Sequence, residues 1–160
     1  SCGKDDDQAR DPAGSVRISG DVRGHSRPCR AQHHGVVLIA LKKIQAWNVS
    51  RDVQLGSRIL VADTHWSRLR GMMGRPNPEP GEGLLLDPCQ AVHMYWMRFA
   101  LDVAFLDDQG NVVAVYHELE PARLSGRHKE AVRALELRAG TLEQSGTQVG
   151  DRIALEPIES

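Results

Sequence analysis

Between Val53 and Leu155, turn-forming residues interrupt the chain so often that no apolar run outlasts a short strand. A core made from such pieces has to come from strands paired side by side. Val53-Gln54-Leu55 and Ile59-Leu60-Val61 flank Gly56-Ser57, which predicts a tight hairpin with glycine supplying the positive φ. Leu84-Leu85-Leu86 is a brief, fully apolar run. Residues 92–98 and 101–107 are rich in aromatic and β-branched types, with Leu101, Val103 and Phe105 on one face of the second. The turn formers Asp107 to Asn111 lead into Val112 to Tyr116. A loop over roughly 118–130 precedes a strand from Val132 to Arg138. Gly140 to Gly146 reads as a turn or single helical turn, and a last strand runs from Arg152 to Leu155. About seven or eight short strands predict a mainly β domain, an antiparallel sandwich or partly closed barrel. No βαβ rhythm is visible, which argues against a parallel, doubly wound sheet.

One helix interrupts this pattern, over about 63–74. Asp63 is a natural N-cap, and Trp66, Leu69, Met72 and Met73 recur at helical spacing on what should be the buried face. Gly74 suits the left-handed position after the helix, and Pro76 blocks its continuation.

The chain changes texture near residue 44. Residues 1–35 are rich in Asp, Arg, Gly, Ser and Pro and poor in aliphatic side chains, too little apolar area to offset the entropy of ordering. Residues 1–43 are therefore expected to be a disordered arm, and residues 44–157 one domain. Val36 to Leu41 is the longest apolar run before the domain, far too short to span a bilayer. The opening Ser1-Cys2-Gly3 fits a mis-started frame or the remnant of a lipid tether at Cys2. With no visible signal peptide the cytoplasm is the expected compartment, and the missing start leaves an exported form open. His33-His34 offers only a solvated pair.

Several motifs occur in a fixed order. Arg70-Gly71-Met72-Met73-Gly74-Arg75 resembles the RGLMGR segment of the domain of unknown function 192 family. Gly83-Leu84-Leu85-Leu86 resembles its GLLL strand, and Met97 to Asp107 its MRFPIDVVFLD signature. Leu135-Glu136-Leu137-Arg138-Ala139-Gly140 resembles LELPAG, and Gly150-Asp151 the closing GD. Ala100 stands where the family usually has Pro, and Met72 replaces the commoner Leu. The resemblance covers about residues 44–157 and implies a β-rich barrel or sandwich with a packed helix. It implies no reaction, ligand or cofactor, so function has to be argued from side chains.

The chain holds no GxSxG, GxxxxGK[ST], HExxH or GxGxxG signature. Three cysteines, Cys2, Cys29 and Cys89, form no CxxC and cannot all pair. Cys89, His93 and Met97 are soft ligands suited to Cu(I). On one straight strand, neighbours four apart are separated by about 13 Å, too far to share an ion; no metal or other cofactor is expected. Cys89 with His93 also suggests a nucleophile and base, although no third, orienting group is identifiable. Arg98, Asp102 and Glu136 are charged residues inside strand signatures. They read as structural ion pairs such as Arg98 with Asp102, as a pocket in which Arg98 grips an anion, or as an acid/base pair of Asp102 and Glu136. Trp96 is the best candidate for an aromatic at a rim, beside Tyr95. Arg68, Arg70 and Arg75 cluster near the helix end, yet the net charge is −1 and aromatics are not interleaved with basic residues, so nucleic acid is not expected. The reading is a non-catalytic module binding a small ligand or protein through a groove near His93, Trp96, Arg98, Asp102 and Glu136. The alternatives are a hydrolase using Asp102/Glu136 or Cys89/His93, and copper binding by Cys89, His93 and Met97.

Overall fold

The computed structural model describes residues 42–158. Residues 1–41 of the expected arm, with Cys2, Cys29, His33-His34 and the run from Val36 to Leu41, lie outside the described residues, and Lys43, expected in the arm, opens the first described strand.

Among the described residues seven strands form one sheet: β1 Lys43–Asn48, β2 Val53–Ala62, β3 Glu82–Leu86, β4 Leu101–Leu106, β5 Val112–Leu119, β6 Arg133–Arg138 and β7 Ile153–Pro157. Two short helices, α1 His65–Arg70 and α2 Thr141–Gln144, sit in the connections. The order across the sheet is β5-β4-β6-β3-β2-β1-β7. Every pairing is antiparallel except β2 with β3, which runs parallel from Arg58 opposite Glu82 to Ala62 opposite Leu86. The expectation of an all-antiparallel sheet is thus corrected at one seam. Parallel neighbours need a long crossover, and residues 63–81 supply it. The helix inside that crossover is too short to give the sequence a βαβ rhythm.

The sheet curls until its two edges meet at one end. Val112 N–H donates to the Asp151 carbonyl, Gly150 N–H to Val112 and Ile153 N–H to Gly110, each at 2.8 Å. The result is a partly closed barrel. Alternation along the central strands sorts their side chains onto two faces. Ala104, Leu106, Leu135 and Leu137 point inward to a core that Leu142 of α2 helps fill. Leu101, Val103, Phe105 and Ala134 point the other way, under Met72, Val92, Met94 and Met97. Each large aliphatic side chain fully buried this way stabilises the fold by about 2 kcal/mol. β3 and β6 press so closely that a Cβ at Gly83 would lie 2.5 Å from the Glu136 carbonyl oxygen.

Three local expectations fail, each for a physical reason. Gly56-Ser57 is not a turn. It lies inside β2, opposite Ala46 where the register shifts, and the true hairpin joins β1 to β2. Residues 49–52 make that turn, with Asp52 in the left-handed region at φ 54° and Asn48 Oδ1 accepting from Arg51 N–H.

The helix ends early and does not bury the predicted face. Its N-cap is Thr64 rather than Asp63: Thr64 Oγ1 accepts from Ser67 N–H, and Ser67 Oγ accepts from Thr64 N–H. Gly71, at φ 49° and ψ −129°, stops it one turn short. Trp66 and Leu69 are left 77% and 48% exposed; Met72, beyond the helix, is buried.

Residues 92–98 form no strand. His93 makes a single bridge to Leu124, and Met97 N–H turns back to the Met94 carbonyl. Trp96 is held at φ 59°, which breaks any alternation of faces.

Candidate functional site

Glu136 sits in the middle of β6, opposite Val103 on one neighbour and Leu84 on the other. Its side chain therefore projects to the outer face, where strands alone do not cover it. Residues 71–73 after α1 and the turning segment 89–97 close over this spot and leave a cavity of about 230 Å³. All four methionines of the chain, Met72, Met73, Met94 and Met97, line it. His65, Arg68, Leu69 and Arg70 of α1 line it as well. The Arg68 Nη1 donates to the carbonyls of Asp63 and Asp87, at 2.7 and 3.1 Å, and so ties α1 to the end of β3.

Glu136 is 4% exposed, and its Oε2 is enclosed with no hydrogen-bond partner. Burial pushes the carboxyl up from 4.5 to about 7, against a smaller opposing pull from the Arg75 charge. The group is then about half protonated at neutral pH, able to donate or accept. A Cβ at Gly71 would lie 3.8 and 3.9 Å from the two carboxyl oxygens, so the chain after α1 runs directly against the acid. His93, also on the cavity wall, has an enclosed Nδ1 with no partner. Buried polar atoms are nearly always paired, and here two lie without a protein partner round one cavity. The Cys89 thiol lies on the same wall and donates to the Ala91 carbonyl at 3.1 Å. Burial, with the nearby Glu136 charge adding to it, pushes that thiol above its ordinary 9.0, opposite to what a nucleophile needs.

The other residues singled out from sequence divide. Cys89, His93 and Met97 do meet round one cavity, because their segment turns instead of running straight. Among the described residues, however, no three His, Cys, Asp or Glu side chains gather closely enough to hold a metal ion. Asp102 points to the opposite face from Glu136 and is fully buried. Its oxygens accept from Glu118 N–H at 2.9 Å and Leu142 N–H at 2.7 Å, so it fixes the first turn of α2. The sheet therefore separates the two carboxyls, and Asp102 has its oxygens committed to backbone rather than to Arg98. Arg98 and Trp96 are exposed and lie beside the cavity instead of inside it. Sequence reasoning did not identify Gly71, Met73 and Met94 as site residues. Their only early signal was the match at 70–75 and the concentration of methionine in two short segments.

Among the described residues no helix is long and apolar enough to cross a membrane. The UPF0127 protein of Thermococcus sibiricus is 30% identical to this chain over 107 residues, covering 64% of this chain and 68% of that protein. A Sinorhizobium meliloti protein described as a proposed transcription regulator has a solved structure that superposes with a TM-score of 0.62 at 25% identity, over 72% of this chain and 94% of that one. A Novosphingobium aromaticivorans protein of unknown function shares the fold with a TM-score of 0.63 at 19% identity, over 76% of this chain and 89% of its own. The sequence model of DUF192, described as Uncharacterized ACR, matches residues 47–155, and the chain belongs to that family.

Proposed function

We propose that the domain is a binding module that seats a small, largely apolar ligand in the methionine-walled cavity, with a polar head on Glu136 and His93. The observation that carries this is the enclosed, unpartnered Oε2 of Glu136 on the cavity wall. An apolar pocket with a few convergent polar groups is the usual form of a small-molecule site. Methionine suits such a wall because its unbranched, polarisable side chain adapts to the shape of what binds. A head that both donates and accepts hydrogen bonds, such as an amide or hydroxyl, would pair the two orphan atoms.

The hydrolase alternative has less support. A carboxyl near pH 7 suits general acid/base work. Asp102 lies across the sheet from it, however, and the Cys89 thiol is shifted the wrong way.

The four methionines make a direct test. Protein labelled with ¹³C in the methionine methyl groups places all four of its signals on the wall of this cavity, and Met73 and Met94 line it without lining the neighbouring one. Benzamide and benzyl alcohol, titrated to millimolar concentration, are expected to move them, and Glu136→Leu is expected to abolish the movement. If neither compound moves any of the four signals in the unmodified protein, the reading is wrong.

A further inference from the structure

A second cavity of about 370 Å³ adjoins the first, and Met72 and Met97 line both. Its chemistry is different. Arg75, Arg98, Asn77 and Trp96 line it, and no acidic residue does. Neither arginine makes an ion pair among the described residues. The Arg75 Nε is enclosed and has no hydrogen-bond partner. An enclosed guanidinium N–H without an acceptor is costly unless an acceptor arrives.

Trp96 supplies the second half of the site. It is 81% exposed, although a large aromatic gains most from burial. It is also held at φ 59°, a backbone conformation that bulky residues rarely adopt and that collects at ligand sites. Tyr95 backs it, with ring centroids 6.1 Å apart, and the Tyr95 ring lies 5.6 Å from that of His93. Aromatic rings thus run from the wall of the first cavity to the wall of the second.

We infer that this second cavity is an anion subsite, where Arg98 and Arg75 grip a carboxylate or phosphate carried on a planar ring that stacks on Trp96. This rests on the proposed function in treating the two cavities as parts of one ligand site. Guanidinium binds carboxylate and phosphate through paired, charge-assisted hydrogen bonds, and a ring lying flat on indole adds stacking.

The probes are benzoate, phenyl phosphate, inorganic phosphate and benzamide, each titrated into the full chain by calorimetry and by the methionine methyl signals. Benzoate or phenyl phosphate is expected to bind and to move Met72 and Met97. Arg98→Gln is expected to weaken it about tenfold or more, and Trp96→Gly, which keeps the backbone conformation, about three- to tenfold. Whichever of the two binds more tightly names the anion. Benzamide offers a guanidinium no charge to hold, so Arg98→Gln should cost it much less affinity than it costs benzoate. Inorganic phosphate binding as tightly as phenyl phosphate, with no effect of Trp96→Gly, overturns the stacked-ring anion site. Benzamide binding while no anion responds to Arg98→Gln overturns it too, and leaves the first cavity's role standing. Silence from all four probes removes both.

Discussion

Replacing Glu136 by glutamine is expected to move stability in the variant's favour as pH rises, by about 3 kcal/mol between pH 4.5 and pH 8. The magnitude follows from the carboxyl's position. Its folded value of about 7 stands against an ordinary 4.5, and one pH unit is worth about 1.4 kcal/mol. Below pH 4.5 the group is protonated in both folded and unfolded chains and contributes nothing. From pH 4.5 to about 7 the unfolded chain releases the proton while the folded one keeps it, so stability falls as pH rises. Above about 7 the folded protein carries the full cost of a buried charge. Glutamine has no such titration. Its own unpaired amide can cost about 1–3 kcal/mol, but equally at every pH. The measurement is urea unfolding of both full-length proteins at pH 4.5, 6 and 8, followed by far-ultraviolet circular dichroism. All other titrating groups cancel in the difference between the two. A difference that stays constant across the three pH values would show that folding does not raise the carboxyl's titration, and the account of the cavity floor would fail with it.

Other substitutions test the frame round the site. Asp102→Ala strands the buried Leu142 N–H and the partly buried Glu118 N–H, and should cost about 2–4 kcal/mol in urea unfolding, with early loss of hydrogen-exchange protection at Leu142. Gly83→Ala drives a methyl group into the Glu136 backbone, Ile59 and Leu137 and should cost about 2–3 kcal/mol, seen as a lowered thermal midpoint. At Asp151, burial acts to raise the carboxyl, but hydrogen bonds from Asn48, Arg51 and the Gln148 N–H outweigh it and hold the group below its ordinary 3.8. The stability it contributes is present above pH 3.8 and lost as pH falls further. Asp151→Asn should therefore flatten the acid limb of the stability curve; an unchanged limb would refute that role.

Much of the sheet is legible in the sequence. β3, β4 and β6 lie where both faces are buried, so dense apolar runs mark them, and Leu101, Val103 and Phe105 share a face as their alternation requires. β1 is less visible, because Lys43, Gln45 and Asn48 break its apolar pattern. The failures share a cause. Trp66 and Leu69 have the spacing of a buried face, yet Gly71 ends the helix before that face can pack. Aromatic-rich residues 92–98 have strand composition, but ring size does not reveal that a left-handed Trp96 turns the chain. At the site, Cys89, His93, Met97 and Glu136 were suspected from their chemistry. Their convergence depends on β6 meeting a segment some forty residues earlier, which no local pattern encodes. The same long-range dependence concealed that Asp102 and Glu136 face opposite ways: each lies between aliphatic neighbours, and only the pairing of Asp102 with Leu137 fixes the relative faces.

The pairing of β1 with β7 sets a clock on how the domain comes into being. Asn48 finds its partner in Ile153, so β1 waits for β7, the strand farthest from it in sequence among those described. A ribosome adding about 5–20 residues per second takes on the order of 5–20 s to cover that interval. Through that time the outer edge of β1 presents unsatisfied backbone groups, a template for any other extended chain nearby. Closure accordingly waits until Ile153 has been made. A nascent chain that stalls before Ile153 is more than a shortened domain: it is an open sheet with an adhesive margin.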